Sequence, residues 1–417
     1  MRKYEIVGPC RLEGSVKING AKNSVLKIMA ASLMVPAEIE LHRVPNITDV
    51  DLMANVLRRL GAKVEQQGNT MVIDSSGEIS EEAPYELVTQ IRASIPVLAP
   101  LLSRLGRARV AMPGGDAIGS RPIDMHLKAL ERMGATLHSD HGYIEAEAPR
   151  LIGTRILLEF PSVGATENLL LAAVSAEGTT TIENAAREPE IQDLARFLNS
   201  CGGKISGEGT PTVIVEGVGS LRSATHEILP DRIEAGTYAV AAAATRGDVT
   251  LNDCIPRHIE LPLQKLEDAG ATIGRGEDWV RVSMKDRPRT LDLVTLPFPG
   301  FPTDLQPLMM VLLAHADGPS ILTENVFESR FLFVDELNRM GAHVRVEGHH
   351  AVIRGVERLS GAPVRAPDIR AGAALVVGGL CAEGKTEVYD IAHIERGYEA
   401  FLENLRSLGG GLSLIEG

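Results

Sequence analysis

Amphipathic helical patterns recur along the chain, and each of them ends at a glycine. Apolar residues at helical spacing mark the pattern, as in the stretch that contains Leu127, Leu130 and Met133. The glycines that end the patterns are Gly61, Gly134, Gly202, Gly270, Gly341 and Gly409. They are 73, 68, 68, 71 and 68 residues apart, and each can supply the left-handed conformation that ends a helix. This near-constant period predicts one structural unit repeated six times.

The elements follow one another in the same order in each repeat. A short helix of small and apolar residues comes first, and a β-branched strand, the amphipathic helix and a pair of strands follow it. The first helices are predicted at Ser24–Met34, Ala93–Leu102, Thr166–Ala176, Ala235–Ala244, Leu305–Ala314 and Ala371–Cys381. The repeated unit is therefore about βαβαββ, which places the protein in the α/β class.

The sixth repeat lacks its last strand, and the N-terminus has a strand to spare. Residues 4–7 resemble the strand at residues 351–354 of the fifth repeat, so we expect the N-terminal segment to complete the sixth repeat. Six units divide naturally into two domains of three. We place one domain at residues 21–228 and a discontinuous one at residues 1–20 plus 229–417, with the active site in a cleft between them.

Composition and charge narrow the class of protein. The chain has 417 residues, of which 44% are hydrophobic and 23% are charged, as is ordinary for a globular protein. Its apolar runs are far shorter than the ~20 residues that span a bilayer, and no apolar signal region opens the sequence. The net charge of −13 argues against a nucleic-acid partner. Four scattered cysteines without zinc-like spacing predict free thiols in a reducing cytosol and no metal site.

Charged and polar residues gather at two junctions of the repeat, both near predicted helix starts. The first junction reads Lys22-Asn23-Ser24, Arg92-Ala93-Ser94, Ser162-Val163-Gly164, Asp231-Arg232, Thr303-Asp304 and Asp368-Ile369-Arg370. The second junction holds Arg121, Arg187, Arg257, Arg330 and Arg396. Helix N-termini favour anions, and arginine can clamp phosphate or carboxylate. Each of these residues, taken alone, could be an ordinary surface arginine or helix cap. Their repetition at equivalent positions indicates instead a site for a polyanionic small substrate.

A glycine-rich loop with an acid near its middle is the other signal. It runs from Pro113 to His126 and contains Asp116, which precedes an Arg-Pro-x-Asp helix start at Arg121. Such a loop is either an ordinary Asp-containing turn or a mobile lid, at about residues 113–121, that brings an acid over a bound ligand. It lacks the Gly-Lys-Ser/Thr end of a phosphate-binding loop and does not match a dinucleotide-binding fingerprint.

Taken together, these residues resemble the enolpyruvyl transferases from end to end. The segments that carry the resemblance are Asn19–Asn23, Arg92–Ser94, Pro113–His126, Ser162–Thr166, Pro230–Arg232, Phe301–Asp304, Phe327–Phe331, Asp368–Ala371 and Glu395–Tyr398. They are most similar to the branch that acts on UDP-N-acetylglucosamine in peptidoglycan synthesis. The sibling enzyme that acts on shikimate 3-phosphate would carry Pro-Gly-Ser-Lys-Ser at Asn19–Asn23. The resemblance implies two inside-out, barrel-like α/β domains, each of three βαβαββ units.

The resemblance also implies a reaction and the residues that serve it. The enolpyruvyl group of phosphoenolpyruvate would move to the 3-hydroxyl of UDP-N-acetylglucosamine, with release of phosphate and without a cofactor. Catalysis would depend on Lys22, Asp116 and Asp304, the last as general base. Phosphoenolpyruvate would be bound by Lys22, Asn23, Arg121, Arg330, Arg370 and Arg396. The UDP-sugar would be bound by Arg92, Arg121, Pro122, Ile123, Asp124, Met125, Ser162, Val163, Gly164, Asp304 and Val326.

The loop acid departs from much of the family, which has cysteine where this chain has Asp116, although an Asp form also exists. The antibiotic fosfomycin alkylates that cysteine, so the resemblance implies resistance here. Two other functions stay open: an enolpyruvyl transferase with another nucleotide-sugar acceptor, and a non-catalytic paralogue that binds UDP-sugar. In each case we expect a cytoplasmic protein that binds small molecules, with no membrane insertion and with its oligomeric state open.

Overall fold

The computed structural model describes residues 2–83, 85–88, 94–112, 119 and 122–416. Its strands are β1 (Lys3–Gly8), β2 (Glu13–Lys17), β3 (Glu38–His42), β4 (Lys63–Gln67), β5 (Thr70–Asp74), β6 (Arg107–Ala111), β7 (Thr136–Asp140), β8 (Tyr143–Glu147), β9 (Arg155–Leu157), β10 (Thr179–Glu183), β11 (Lys204–Ser206), β12 (Thr212–Glu216), β13 (Ala224–Glu227), β14 (Asp248–Asn252), β15 (Thr272–Arg275), β16 (Trp279–Ser283), β17 (Leu293–Val294), β18 (Pro319–Thr323), β19 (His343–Glu347), β20 (His350–Arg354), β21 (Pro363–Arg365), β22 (Gly384–Tyr389) and β23 (Leu412–Ile415).

Helices alternate with these strands. They are α1 (Lys22–Ala31), α2 (Thr48–Leu60), α3 (Tyr85–Val88), α4 (Ser94–Leu105), α5 (Asp124–Arg132), α6 (Val163–Ala173), α7 (Pro189–Ser200), α8 (Arg232–Ala244), α9 (Glu260–Asp268), α10 (Gln306–Ala314), α11 (Val334–Arg339), α12 (Ile369–Cys381), α13 (Ala392–Glu395) and α14 (Phe401–Ser407). Short 3₁₀ segments lie at Ser32–Met34, Pro256–Ile259 and Thr303–Leu305. None of the helices in the described part of the chain is long and apolar enough to cross a membrane.

The sheets repeat one topology, which confirms the βαβαββ unit. In five of the sheets formed by the described residues, one strand is parallel to its neighbour and two antiparallel strands follow, as in β13-β3-β5-β4. The same order is found in β9-β10-β12-β11, β2-β14-β16-β15, β17-β18-β20-β19 and β21-β22-β1-β23. The second repeat forms the three-stranded sheet β6-β8-β7, and a single parallel bridge from Glu82 to Arg109 stands at the place of the fourth strand.

The glycines at the ends of the second helices adopt the backbone conformation that the period predicts. The φ angles of Gly61, Gly134, Gly202, Gly270, Gly341 and Gly409 are 111°, 95°, 98°, 109°, 82° and 94°. A side chain is strained in this left-handed region, so glycine ends each helix at little cost. The regular spacing in the sequence therefore has a direct backbone cause.

The described chain divides into two compact units: a first unit within residues 20–115 and 122–229, and a second unit of residues 2–19, 119 and 230–416. Each unit has its own hydrophobic core. In the first unit α4 packs against α1 and α6, and in the second unit α10 packs against α8 and α12. All nine residues of α10 are buried, as expected for a helix that is apolar on every side. The apolar helices thus lie inside each unit and the sheets lie outside, the inside-out arrangement that the resemblance implies.

The N-terminal strand completes the last sheet. Strand β1 pairs antiparallel with β22 on one side and with β23 on the other, so the sixth repeat receives its missing strand from the start of the chain. A related exchange occurs at the ends of the first unit. Strand β2, which precedes α1, pairs with β14 of the second unit, whereas β13, which precedes α8, pairs with β3 of the first unit.

Candidate active site

Asp304 and two arginines form an ion-pair cluster in the second unit. Asp304 lies in the 3₁₀ turn that leads into α10, and its Oδ1 accepts a hydrogen bond from Nη2 of Arg330 at 2.6 Å. Its Oδ2 accepts a longer hydrogen bond from Nε of Arg370, at 3.3 Å. The arginine side chains are only 2% and 5% exposed, while that of Asp304 is 23% exposed. The carboxylate therefore lies over two buried cations and keeps access to solvent.

Arg370 carries a donor that no described residue satisfies. Its Nη1 atom is buried and has no hydrogen-bond partner in the described part of the chain. The ring of Tyr398 lies 5.1 Å from its guanidinium carbon. Burial by itself lowers the pKa of Arg370, but Tyr398, Asp304 and Asp231 outweigh burial and raise the pKa above its ordinary value. A charged, buried donor without a partner is costly in a folded protein, so this nitrogen is suited to an anionic ligand.

Two other acids at the helix starts of this unit act as N-caps. Asp368 accepts hydrogen bonds from the backbone N–H groups of Arg370 and Ala371, at 2.8 and 3.0 Å. Asp231 does the same at the start of α8. Such caps satisfy free helical donors and hold the first turn in place. The cap at Asp368 thereby fixes the backbone from which Arg370 extends.

Glu324 is an acid that the sequence did not single out. It follows β18, is 1% exposed, and accepts hydrogen bonds from the hydroxyl groups of Thr295 and Thr303, at 2.8 and 3.0 Å. The backbone N–H groups of Val326 and Phe327 also donate to it. In the sequence Glu324 resembles any polar residue at the end of a strand. The one signal that could have drawn attention to it is its proximity along the chain to Val326 and Arg330, which were predicted to bind substrate.

Lys22 of the first unit is held by an acid that the sequence also missed. Its Nζ atom lies 3.0 Å from Oδ2 of Asp49, and the two side chains are 12% and 3% exposed. Asp49 lies in the first turn of α2, where an acid is expected to favour the helix dipole alone. The ion pair with Lys22 is an additional role that helix statistics would not reveal. Asn23 follows Lys22 in the first turn of α1.

A buried carboxylate fixes the same end of α1. Oδ2 of Asp193 accepts a hydrogen bond from Oγ of Ser24 at 2.5 Å, and the other oxygen lies 3.1 Å from Nε2 of His226. The backbone N–H of Leu229 also donates to Asp193, at 3.3 Å. Residue 24 is far in sequence from residues 226 and 229, so Asp193 joins the start of α1 to the last strand of the unit.

The start of α6 combines a cap with a close contact to a histidine. Ser162 accepts a hydrogen bond from the N–H of Ala165 at 3.3 Å, and Val163 begins the helix. A Cβ atom on Gly164 would lie 3.1 Å from Cε1 of His126, tighter than an ordinary contact. Nδ1 of His126 is 3.2 Å from the amide nitrogen of Asn168. Glycine at this position therefore lets the histidine ring pack closely against α6.

The predicted sugar-binding segment before α5 is mixed in character. Pro122 is exposed, Ile123 is buried at the N-cap position, and Met125 packs against the core. Asp124 is turned instead toward its own helix and pairs with Lys128 at 3.2 Å. The structure thus offers backbone and apolar contacts here, and one exposed carboxylate.

The remaining predicted residues divide into two groups. Arg92, Asp116 and Arg121 lie outside the described residues. Arg396 follows α13, whose last residue, Glu395, forms a two-point ion pair with Arg2. Among the residues that the structure describes, no cluster of His, Cys, Asp and Glu could hold a metal ion.

Comparison with known proteins points to one family. The family model described as EPSP synthase (3-phosphoshikimate 1-carboxyvinyltransferase) matches residues 6–405. The UDP-N-acetylglucosamine 1-carboxyvinyltransferase of Corynebacterium efficiens is 55% identical over 413 residues, which cover 99% of this chain and 98% of that protein. The enzyme of the same name from Mycobacterium leprae is 52% identical over 413 residues, with 99% of each chain covered.

Solved structures give the same result for the fold. The enolpyruvyl transferase NikO from Streptomyces tendae superposes with a TM-score of 0.88 at 27% identity, covering 99% of each chain. An EPSP synthase from Acinetobacter baumannii superposes with a TM-score of 0.75 over the full length of both chains, at 19% identity. The second likeness supports the fold alone.

Proposed function

The chain belongs to the enolpyruvyl transferase family, and we propose that it transfers the enolpyruvyl group of phosphoenolpyruvate to the 3-hydroxyl of UDP-N-acetylglucosamine. Phosphate is released, and the product is the first intermediate committed to peptidoglycan. The protein is a transferase that acts on two small molecules. We place it in the cytoplasm, where both substrates are made, and assign it no cofactor.

The cluster of Asp304, Arg330 and Arg370 carries this proposal. Two buried guanidinium groups give a fixed site for the carboxylate of phosphoenolpyruvate, and the unsatisfied Nη1 of Arg370 supplies a free donor. Asp304 is the partly exposed acid beside them and is suited to receive a proton from an attacking hydroxyl. A protein that only bound the UDP-sugar would not need this arrangement.

The proposed chemistry has two halves. A proton is added to C3 of phosphoenolpyruvate, so that C2 becomes cationic in character, and the sugar hydroxyl attacks C2 as Asp304 removes its proton. The addition product then loses a proton from C3 while the bond from C2 to the phosphate oxygen breaks, which restores the double bond and releases phosphate. We assign the first protonation to Asp116 on the loop at residues 113–121.

The other residues bind the substrates in this proposal. Lys22, Arg121 and Arg396 hold the phosphate of phosphoenolpyruvate, and Arg330 and Arg370 hold its carboxylate. Asn23 also binds phosphoenolpyruvate. The residues that hold the UDP-sugar are Arg92, Arg121, Pro122, Ile123, Asp124, Met125, Ser162, Val163, Gly164, Asp304 and Val326.

The test is phosphate release from phosphoenolpyruvate, measured with and without UDP-N-acetylglucosamine, with the nucleotide product weighed by mass spectrometry. We expect release only when the UDP-sugar is present, together with an enolpyruvyl gain in mass. Binding of the UDP-sugar without release would instead indicate a non-catalytic paralogue. If the UDP-sugar did not bind, the acceptor would be a different one.

A further inference from the structure

We propose that Glu324 is a positioning residue for enolpyruvyl transfer, which holds the turn of Asp304 and the loop of Val326 and Arg330 in register. The inference rests on the proposed function, because it assigns Glu324 a part in the same reaction. Glu324 reaches no reacting atom itself. It acts through Thr303, the residue directly before the proposed general base.

The carboxylate of Glu324 receives four hydrogen bonds in the interior of the second unit. Its Oε1 accepts from Oγ1 of Thr295 at 2.8 Å, from the N–H of Val326 at 2.8 Å and from the N–H of Phe327 at 3.1 Å. Its Oε2 accepts from Oγ1 of Thr303 at 3.0 Å. A buried carboxylate needs such a set of donors to offset its loss of contact with water.

These hydrogen bonds join three segments that the chain keeps apart. Thr295 follows β17, Thr303 begins the 3₁₀ turn before α10, and Val326 lies beyond β18. Thr295 also accepts a hydrogen bond from the N–H of Asn325, at 3.0 Å, which extends the network along the loop. Backbone hydrogen bonds from Thr295 to Thr323 and from Leu296 to Phe301 also join these segments, and Glu324 adds the side-chain link to Thr303.

Arg330 also donates hydrogen bonds to the turn that contains Thr303 and Asp304. Its Nε donates to the carbonyl oxygen of Thr303 at 3.3 Å, while its Nη2 donates to Asp304 at 2.6 Å. Thr303 is thus held by its hydroxyl toward Glu324 and by its carbonyl toward Arg330. Loss of the hydroxyl contact leaves Thr303 held by Arg330 and by the backbone pairing of Phe301, without its side-chain link to Glu324. A misplacement of about 1 Å in a reacting group can cost roughly 10²-fold in rate.

The experiment compares Thr303→Val with Thr303→Ser in the full-length protein. Valine has the shape of threonine without a hydroxyl, whereas serine keeps the hydroxyl that Glu324 binds. Phosphate release gives kcat and KM for both substrates, and thermal melting gives the stability of each variant. Glu324→Gln and the double variant Thr303→Val/Glu324→Gln are measured in the same way.

We expect Thr303→Val to lower kcat at least about tenfold, with KM for the UDP-sugar changed less than about twofold, and Thr303→Ser to restore most of kcat. The double variant should be little worse than its poorer parent, because both changes break one link. Normal kcat in Thr303→Val, or equal loss in the serine and valine variants, overturns the inference. A loss of kcat that merely follows the melting temperature across the set also overturns it. If the unaltered protein makes no enolpyruvyl product, the proposed function is what has failed.

Discussion

Asp304 accepts its short hydrogen bond from Arg330, a side chain almost wholly buried beneath it, at a distance of 2.6 Å. The arginine fixes the carboxylate, while the second oxygen meets Arg370 at 3.3 Å. Asparagine at this position could keep the bond to Arg330, but it could not take a proton from a hydroxyl.

Asp304→Asn should therefore abolish most turnover and weaken binding of the UDP-sugar much less, because the asparagine amide can still form hydrogen bonds. Loss of a positioned general base lowers rates by roughly 10²–10⁴-fold. Phosphate release in samples quenched at set times gives kcat, and titration calorimetry measures binding of the UDP-sugar. The exposed Asp335→Asn on α11 is the matched control. Turnover within about threefold of normal in Asp304→Asn would remove this residue from the role of base.

Resistance to fosfomycin is expected because Asp116 offers a carboxylate in place of a thiolate. Carboxylates are weak nucleophiles toward an epoxide, so no time-dependent loss of activity should occur, and Asp116→Cys should create sensitivity. The measurement is residual activity after incubation with the drug, with intact-mass analysis of the protein. A covalent adduct on the unaltered protein at Asp116 would contradict the expectation.

The pH dependence of turnover should also follow the residue at position 116. A free aspartic acid has a pKa near 3.9 and a free thiol has a pKa near 8.5. As the pH rises, an aspartic acid therefore loses the proton that it could donate at a lower pH than a thiol does. We expect the rate optimum of the unaltered protein to lie on the acid side of the optimum of Asp116→Cys. Initial rates from about pH 5 to 9 decide this. Superimposable profiles would mean that Asp116 does not supply the proton.

Glu234 should make the protein less stable as the pH rises. Burial raises its pKa from 4.5 to about 8, with a further contribution from Asp231, while hydrogen bonds from Asn19 oppose the rise. Because the folded state holds this proton more tightly than the unfolded state, the stability it contributes is complete below pH 4.5 and is lost as the pH rises toward 8.

Glu234→Gln removes this titration. The glutamine can keep both hydrogen bonds with Asn19 if the side-chain amide of Asn19 rotates by about 180°, so that its oxygen accepts from the glutamine. The melting temperature of the variant, relative to the unaltered protein, should therefore increase between about pH 5 and 8, since each pKa unit corresponds to about 1.4 kcal/mol. The exposed Glu131→Gln serves as control. A difference that stays constant with pH would show that Glu234 titrates normally in the folded protein.

His315 should make the protein less stable as the pH falls, the opposite of the effect expected for Glu234. Its Nε2–H donates to the carbonyl oxygen of Ala244 at 3.0 Å, and burial lowers its pKa from 6.5 to about 4. The neutral ring is favoured in the folded state, so stability falls as the pH drops from 6.5 toward 4. His315→Gln should flatten this loss in thermal melts from about pH 7 to 4.5, whereas the exposed His349→Gln should not. Equal slopes in all three proteins would refute the assignment.

The repeat made the fold predictable, because its signals are local. A glycine such as Gly341 must follow a helix closely to end it, and an unbroken apolar run such as Leu308–Ala314 in α10 reveals a buried helix without any knowledge of its neighbours. The N-terminal strand could also be placed, since the sixth repeat lacked one. The sequence pattern could not predict how individual helices end, for example that α1 ends in a 3₁₀ turn at Ser32–Met34.

The site was predictable only where the residue type itself carries the chemistry. Arginines and an aspartate at helix starts stand out, and Asp304, Arg330 and Arg370 do lie together. Glu324 and Asp49 do not stand out, because their importance arises from partners about 20 to 30 residues away along the chain. A polar residue at a strand end or in a first helical turn has many ordinary explanations, and only the fold selects among them.

The place of β1 between β22 and β23 has a consequence for biosynthesis. A ribosome makes residues 3–8 long before residues 412–415, yet these segments are neighbours in one sheet. All the strand partners within residues 20–229 have been synthesised once residue 229 has emerged, so that unit can fold during translation. Tyr4 and Ile6, both buried in the finished protein, gain their strand partners only after residues 384–389 and 412–415 have been made. The strand at residues 3–8 is therefore enclosed long after it has been synthesised.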